Sequence, residues 1–322
     1  MTVRETLSIL KIKNEEADFY SLKFNNNNFF TTPRYLSEFN LNIKWWLVLK
    51  GNEPLCIWPV YINDEGRNDL PLFSYYFGPV WSKYFLSLNN HSSLSKKNEV
   101  FEIFLSKFKD LYPNLIFQFD YNNLDVRYFI WKNKDSNNKK KFKIFPKYTS
   151  IIKNLDKKNE NEIFNNFRTL RKRMIRKFKT NSNFIKEETF SNEEIIELYG
   201  DTLLKKNQTI DSAVEKYINI FHKLSKEGCC KIIGYKERTS NKLAALTMIT
   251  FEKNIANLIL NLSSNDHKPS GISASNMLDA IYYAKKKGCK IFDFNGANSE
   301  VGAHDKDSYG GIPRLYFQIE LN

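Results

Sequence analysis

The chain has 322 residues, of which 42% are hydrophobic and 15% aromatic, and its formal net charge is +13. That much apolar material supports a packed core and excludes global disorder; the length allows one large domain or two ordinary ones. The positive balance attracts nucleic acid, anionic lipid or phosphate-rich cosubstrates, whereas an AT-rich genome, which favours both Lys and Asn codons and so covers the run Asn25 to Asn28, accounts for it with no partner at all. Cys56, Cys229, Cys230 and Cys289 show no Cys-x-x-Cys spacing, and three of them sit in apolar runs. No metal site and no disulfide framework is expected, which fits a reducing compartment. The start, MTVRETLSILKIKNEE, has no long apolar stretch, and LAALTMITF is half a membrane span. A cytoplasmic protein is expected, and the glycosylation-like triplets at Asn207 and Asn261 are then chance.

WWLVLKG (45–51) and PLCIWPVYI (54–62) read as a hairpin turned at GNE. PLFSYYFGPVW (71–81) is aromatic and broken by Pro and Gly, which suits a lining loop or an edge strand. Residues 98–112 have helical apolar spacing, and NLIFQFDY (114–121) follows as a strand. The amide-rich and charged 133–143 is the best linker candidate. The basic stretch RTLRKRMIRKFK (168–179) predicts a helix. A second helix covers 193–206, with Ser191 and Glu194 spaced as a capping box, and a third covers 211–228, closed by Gly228. CKIIGYKE, LAALTMITFE and IANLILNLSS predict a three-strand antiparallel meander. A helix over 274–288, a strand CKIFDFNG and a last strand RLYFQIEL complete the chain.

Helix, helix, three antiparallel strands, helix, strand, loop, strand is the order of the GNAT acyltransferase fold, and the first half shows a weaker version of it. The expected class is α/β: two tandem GNAT-like domains, residues 1–145 and 146–322, each a mostly antiparallel mixed sheet flanked by helices, with the last strand free to return to the first domain. Three segments resemble the Fem-type aminoacyltransferases, which are built from two GNAT-like halves. PKYTSIIKNL followed by RTLRKRMIRKFK is similar to that family's entry into its second half. NFFTTPRYL with GPVW resembles its first half. DFNGANSEVGAHDKDSYGG (293–311) resembles its strand ending in Asp-x-x-Gly with a following Phe-Lys-x-x-Phe-Gly-Gly loop, matched here at Lys306, Tyr309, Gly310 and Gly311. Asp305 stands where the family prefers Phe, and the long heptad arm of some members is absent.

The resemblance implies transfer of an acyl or aminoacyl group to an amine. Such chemistry needs a deprotonated amine, a stabilised oxyanion and a held donor. The 293–311 segment spends four of the chain's 12 glycines. Its candidates are Lys306 for the oxyanion or a donor phosphate, Asp293 as base or as an Asx-turn, and His304 as base or bystander. Asn295, Tyr309 and Gly310 join them on the substrate side. HKPSGISAS (267–275) stands where a GNAT fold binds donor phosphates, with Lys268, Gly271, Ser273 and Ala274 as candidate contacts; a plain Gly/Ser turn gives the same letters. Arg171, Arg173 and Arg176 are candidates for gripping tRNA, a nucleotide-linked acceptor or an anionic membrane, against a merely solvated helix. The cosubstrate is acyl-CoA or aminoacyl-tRNA, neither tightly bound. The rival is a non-catalytic GNAT-like module that binds RNA or an anionic surface.

Overall fold

The computed structural model describes residues 6–112, 114–135, 141–180, 183–204, 214–267 and 270–321. Among them are two compact units: one runs to Lys147 and regains the chain from Leu315, and the other is Tyr148–Arg314.

The first unit contains β1 (Leu7–Ile12), α1 (Asn14–Lys23), α2 (Pro33–Glu38), β2 (Ile43–Lys50), β3 (Glu53–Ile62), β4 (Asn68–Asp69), β5 (Val80–Trp81), α3 (Asn90–Leu111), β6 (Ile116–Gln118) and α4 (Arg127–Lys134). Strands β1 to β4 form an antiparallel sheet in sequence order, and β5 also pairs with β3. The expected hairpin is β2–β3, with Gly51 at φ +56° in its turn. Three elements the sequence reading passed over, β1, α1 and α2, precede it. Asn89 caps α3 by accepting from the Ser92 N–H at 2.9 Å. Helix α3 buries Val100, Phe101, Phe104, Leu105 and Phe108, a stripe at helical spacing, and Phe104 stacks on Trp58 with centroids 3.6 Å apart.

β7 (Phe142–Lys153) crosses into the second unit, followed by α5 (Glu160–Asn165), α6 (Thr169–Lys179), β8 (Phe184–Glu187), α7 (Asn192–Leu204), α8 (Val214–Lys226), β9 (Cys230–Glu237), β10 (Leu243–Glu252), β11 (Ile255–Ser263), α9 (Ile272–Lys286), β12 (Ile291–Asp293) and α10 (Glu300–Asp307). The last strand, β13 (Ile312–Leu321), returns to the first unit, where Gln318–Glu320 pair with β6. In the second unit β8, β9, β10 and β11 are antiparallel neighbours, β12 runs parallel to β11, and β7 pairs antiparallel to β12. The meander is therefore present. Both bonds of the Ser191–Glu194 capping box form, at 2.9 and 3.2 Å. The far end of the 193–206 helix, the start of the 211–228 helix and Asn207 lie outside the described residues. Helix α9 drives Ala274, Met277, Leu278, Ile281 and Ala284 into a core shared with Ile175 of α6 and Phe292 of β12.

The 293–311 connection differs from the expected loop. Ser299 caps a two-turn helix, α10, by accepting from the Gly302 N–H at 3.1 Å. Charged residues on an exposed short helix leave little apolar periodicity, which is why the segment reads as loop.

Candidate functional site

β11 and β12 stay paired over only three positions, Ile255↔Ile291, Ala256↔Phe292 and Asn257↔Asp293. β11 then runs on to Ser263 while β12 ends, so the two parallel strands part. Asn295, in the left-handed region at φ 51°, spans the start of the gap: its Nδ2 donates to Leu258 O at 2.8 Å. Its Oδ1 is buried and has no hydrogen-bond partner among the described residues. A buried amide oxygen left unpaired is costly, which marks this atom as unusual beside the point where the strands part.

Asp293 fixes that turn. It is 1% exposed; Thr149 Oγ1 donates to its carboxylate, and so does the Asn295 N–H at 2.9 Å. The Asx-turn reading is the geometry seen, and Thr149, which the sequence reading missed, is its partner from β7. Lys306 reaches back from α10, and its ammonium donates to the carbonyl oxygens of Asn295 and Gly296. Lys306, Asn295 and Asp293 are thus brought together.

His304 is not. It stands two residues from Lys306 on a helix, about 200° around the axis, with a side chain 75% exposed and 4.0 Å from Glu300. The imidazole of this candidate base faces solvent on the other side of α10, apart from the Lys306 cluster.

Tyr309 is 1% exposed, against Phe167 and Phe294, and its hydroxyl has no partner among the described residues. Burial pushes its pKa up, with the Asp305 charge adding to the shift. Arg171 lies 4.9 Å over the Tyr309 ring, pairs with the Asp305 carboxylate and donates from Nε to Ser308 Oγ at 2.8 Å. Burial raises the Asp305 pKa against the opposing pull of Arg171 and Lys306. Arg171 is therefore committed internally and does not share an outward phosphate-gripping face with Arg173 and Arg176. Those two are exposed, Arg176 over the Phe164 ring at 5.6 Å. Gly310 has φ +77°, where an L side chain is strained, and an added Cβ would also come within 3.2 Å of Asn166 Cβ, so the local backbone already favours a glycine.

The expected phosphate loop has a second occupation. Gly271, at φ +83°, precedes α9, and an added Cβ would overlap the carbonyl oxygen of Met174 and lie 2.8 Å from its carbonyl carbon. The backbone of α6 is seated on this glycine. Ala274 sends its methyl into the core, and Ser273 is half-buried. Lys268 lies outside the described residues. Beside Ser264 and His267, a cavity of about 380 Å³ is lined by carboxylates including Glu194, Glu197, Asp201 and Asp266.

No protein-family model matches the sequence, and no curated protein does. Solved structures do. The structure of FemX has a TM-score of 0.66 at 12% identity, with 96% of each chain covered. A tandem GNAT protein from the clavulanic acid biosynthesis pathway gives 0.58 at 9% identity and 98% of each chain. The L-PGS structure from Bacillus licheniformis gives 0.56 at 13% identity, covering 96% of this chain and 92% of that one. An antiparallel sheet and a mixed one, both flanked by helices and matched over nearly the whole length of the chain, give it the tandem GNAT-like fold seen in these structures.

Proposed function

We propose that the protein is an N-acyltransferase that passes an acyl or aminoacyl group from an activated donor to an amine by direct attack. The observation that carries this is the parted β11–β12 pair, with the buried Asn295 oxygen and Lys306 beside it. Fold likeness to FemX, to a tandem GNAT protein and to L-PGS supports the same class.

In this reading the acceptor amine attacks the donor carbonyl carbon, and the carbonyl electron pair moves onto oxygen. The Lys306 ammonium is the charge nearest that oxyanion, and a charge fixed in advance by two carbonyls costs little reorganisation. Collapse breaks the bond to the leaving thiolate or alkoxide, which takes up the proton released by the amine. Asn295 Oδ1 accepts a hydrogen bond from the amine. Asp293 is a positioning residue, since it holds the Asn295 backbone. The donor is aminoacyl-tRNA or acyl-CoA, and the acceptor is an amine on a cell-envelope or sugar precursor in the cytoplasm.

A second reading, a module without turnover, draws support from the phosphate loop. Met174 sits on Gly271 there, and the neighbouring carboxylates repel phosphate. A thermal-shift panel of CoA thioesters and charged tRNA, followed by transfer assays, separates the two. A stabilising donor whose turnover falls at least tenfold in Lys306→Ala, with the fold intact, supports the enzyme. No stabilisation and no transfer with either donor class hands the protein to the second reading.

A further inference from the structure

The first unit holds a pocket of its own, independent of whether transfer occurs in the second. Its cavity, about 410 Å³, lies between the Asn25–Asn28 loop, the segment from Pro79 to Leu86, Lys97 on α3, and Asp120 with its asparagines. The loop is preformed. Asn26 Nδ2 donates to Ser21 Oγ and to Thr31, and Asn28 Nδ2 ties it to Tyr76 O at 2.8 Å. The asparagine run thus has a structural use beyond composition.

Lys97 is the unusual member. Its ammonium lies 5.1 Å from the Trp81 ring and 5.9 Å from Phe85, and burial lowers its pKa. An ammonium carries three donors; among the described residues only Asn123 Oδ1, at 3.1 Å, accepts from it. No carboxylate among them forms an ion pair with it. Asp120 is close enough to be felt, but its two oxygens are taken by the Asn122 N–H at 2.6 Å and Asn123 Nδ2 at 2.9 Å. Along the same wall the Ser82 hydroxyl and the Trp81 indole N–H also find no acceptor among the described residues. Lys83 adds a second cation to the lining. A desolvated cation short of acceptors, next to two unmatched groups able to donate, is an arrangement that an acceptor of negative charge completes. The volume suits a small group.

We propose that this pocket binds an oxyanion, a carboxylate or a phosphate ester, with the Lys97 ammonium as its principal contact and Ser82 and Lys83 beside it. Cation–ring contacts hold Lys97 in place when the pocket is empty.

The test is a titration of the full chain with inorganic phosphate and, separately, acetate, each at ionic strength matched with chloride. The readout is tryptophan fluorescence, because Lys97 sits over Trp81, with Trp81→Phe identifying the reporting ring. Saturable change with phosphate, acetate or both is expected, and which one saturates names the source. Lys97→Met keeps the apolar stem and should weaken that binding at least tenfold, as loss of a charge-assisted hydrogen bond does. Lys83→Met, at a surface position, should weaken it less. Absence of saturation with both anions overturns the proposal, and so does a Lys97→Met protein that folds and binds as tightly as the parent.

Discussion

Gly271→Ala tests whether a glycine in the expected phosphate loop is there for a ligand or for a neighbouring helix. Two penalties add. At φ +83° an L-residue costs about 1–2 kcal/mol. The new methyl would also collide with the Met174 carbonyl, a backbone group that moves only if α6 moves, at a further cost of about 1–3 kcal/mol. Gly288, at the other end of α9, provides the control: it has φ +84° and nothing within 4 Å of an added Cβ, so Gly288→Ala incurs the first penalty alone. The expected excess of Gly271→Ala over Gly288→Ala is therefore about 1–3 kcal/mol. All five tryptophans, at 45, 46, 58, 81 and 131, precede the second unit, so fluorescence is blind to it. Urea unfolding should be followed by circular dichroism, and hydrogen exchange should show extra opening in α6 and in α10, which α6 holds through Arg171. Equal destabilisation by the two substitutions, or a Gly271→Ala chain as stable as the parent, refutes the packing argument.

Arg171→Gln should cost about 1–3 kcal/mol because Asp305 loses its partner, whereas exposed Arg173→Gln should stay within about 0.5 kcal/mol; Asp305→Asn in the same chain as Arg171→Gln should recover part of the loss in denaturant titrations. Tyr309→Phe removes a buried hydroxyl without a partner and should leave stability equal or up to about 1 kcal/mol higher; a loss of that size would mean the hydroxyl does have one. His222 is half-buried, its Nε2 has no partner among the described residues, and burial, helped by Lys226, holds its pKa below the usual 6.5. The unfolded chain then takes the proton first, so stability is full above that pH and falls as pH drops through 6.5, by at most about 1.4 kcal/mol per unit. His222→Gln should remove that share of the slope in pH-dependent melting, and an unchanged slope would exclude His222 as its source.

Much of the fold is written locally. The Trp45–Ile62 hairpin, the capping box at Ser191 and the three-strand meander each rest on neighbours within a few residues, and periodicity with turn chemistry finds them. The site is written across the chain. Asn295 finds its carbonyl 37 residues away, Arg171 its carboxylate 134 away and Thr149 its carboxylate 144 away. None of these pairs leaves a periodic trace. Lys306 and Asp293 were visible because they lie at the two ends of one conspicuous segment. Gly271 was visible too, but its neighbour Met174 belongs to a helix nearly a hundred residues earlier, so the letters suggested a ligand where a backbone sits. His304 drew notice as a residue type, and helix geometry, which the glycines masked, turned it outward.

The return of β13 to β6 bears on how the protein is made. A ribosome delivers the chain from its N-terminus, and domains generally fold in that order. Here every residue of the second unit is synthesised before Gln318 and Ile319, which the first unit needs for the partner of β6. During translation the first unit therefore waits with β6 unpaired along the edge that β13 will take, which leaves its N–H and C=O groups open to mispairing. The unit begun first is completed last, and a chain stalled a few residues short of Leu321 would carry that edge uncovered.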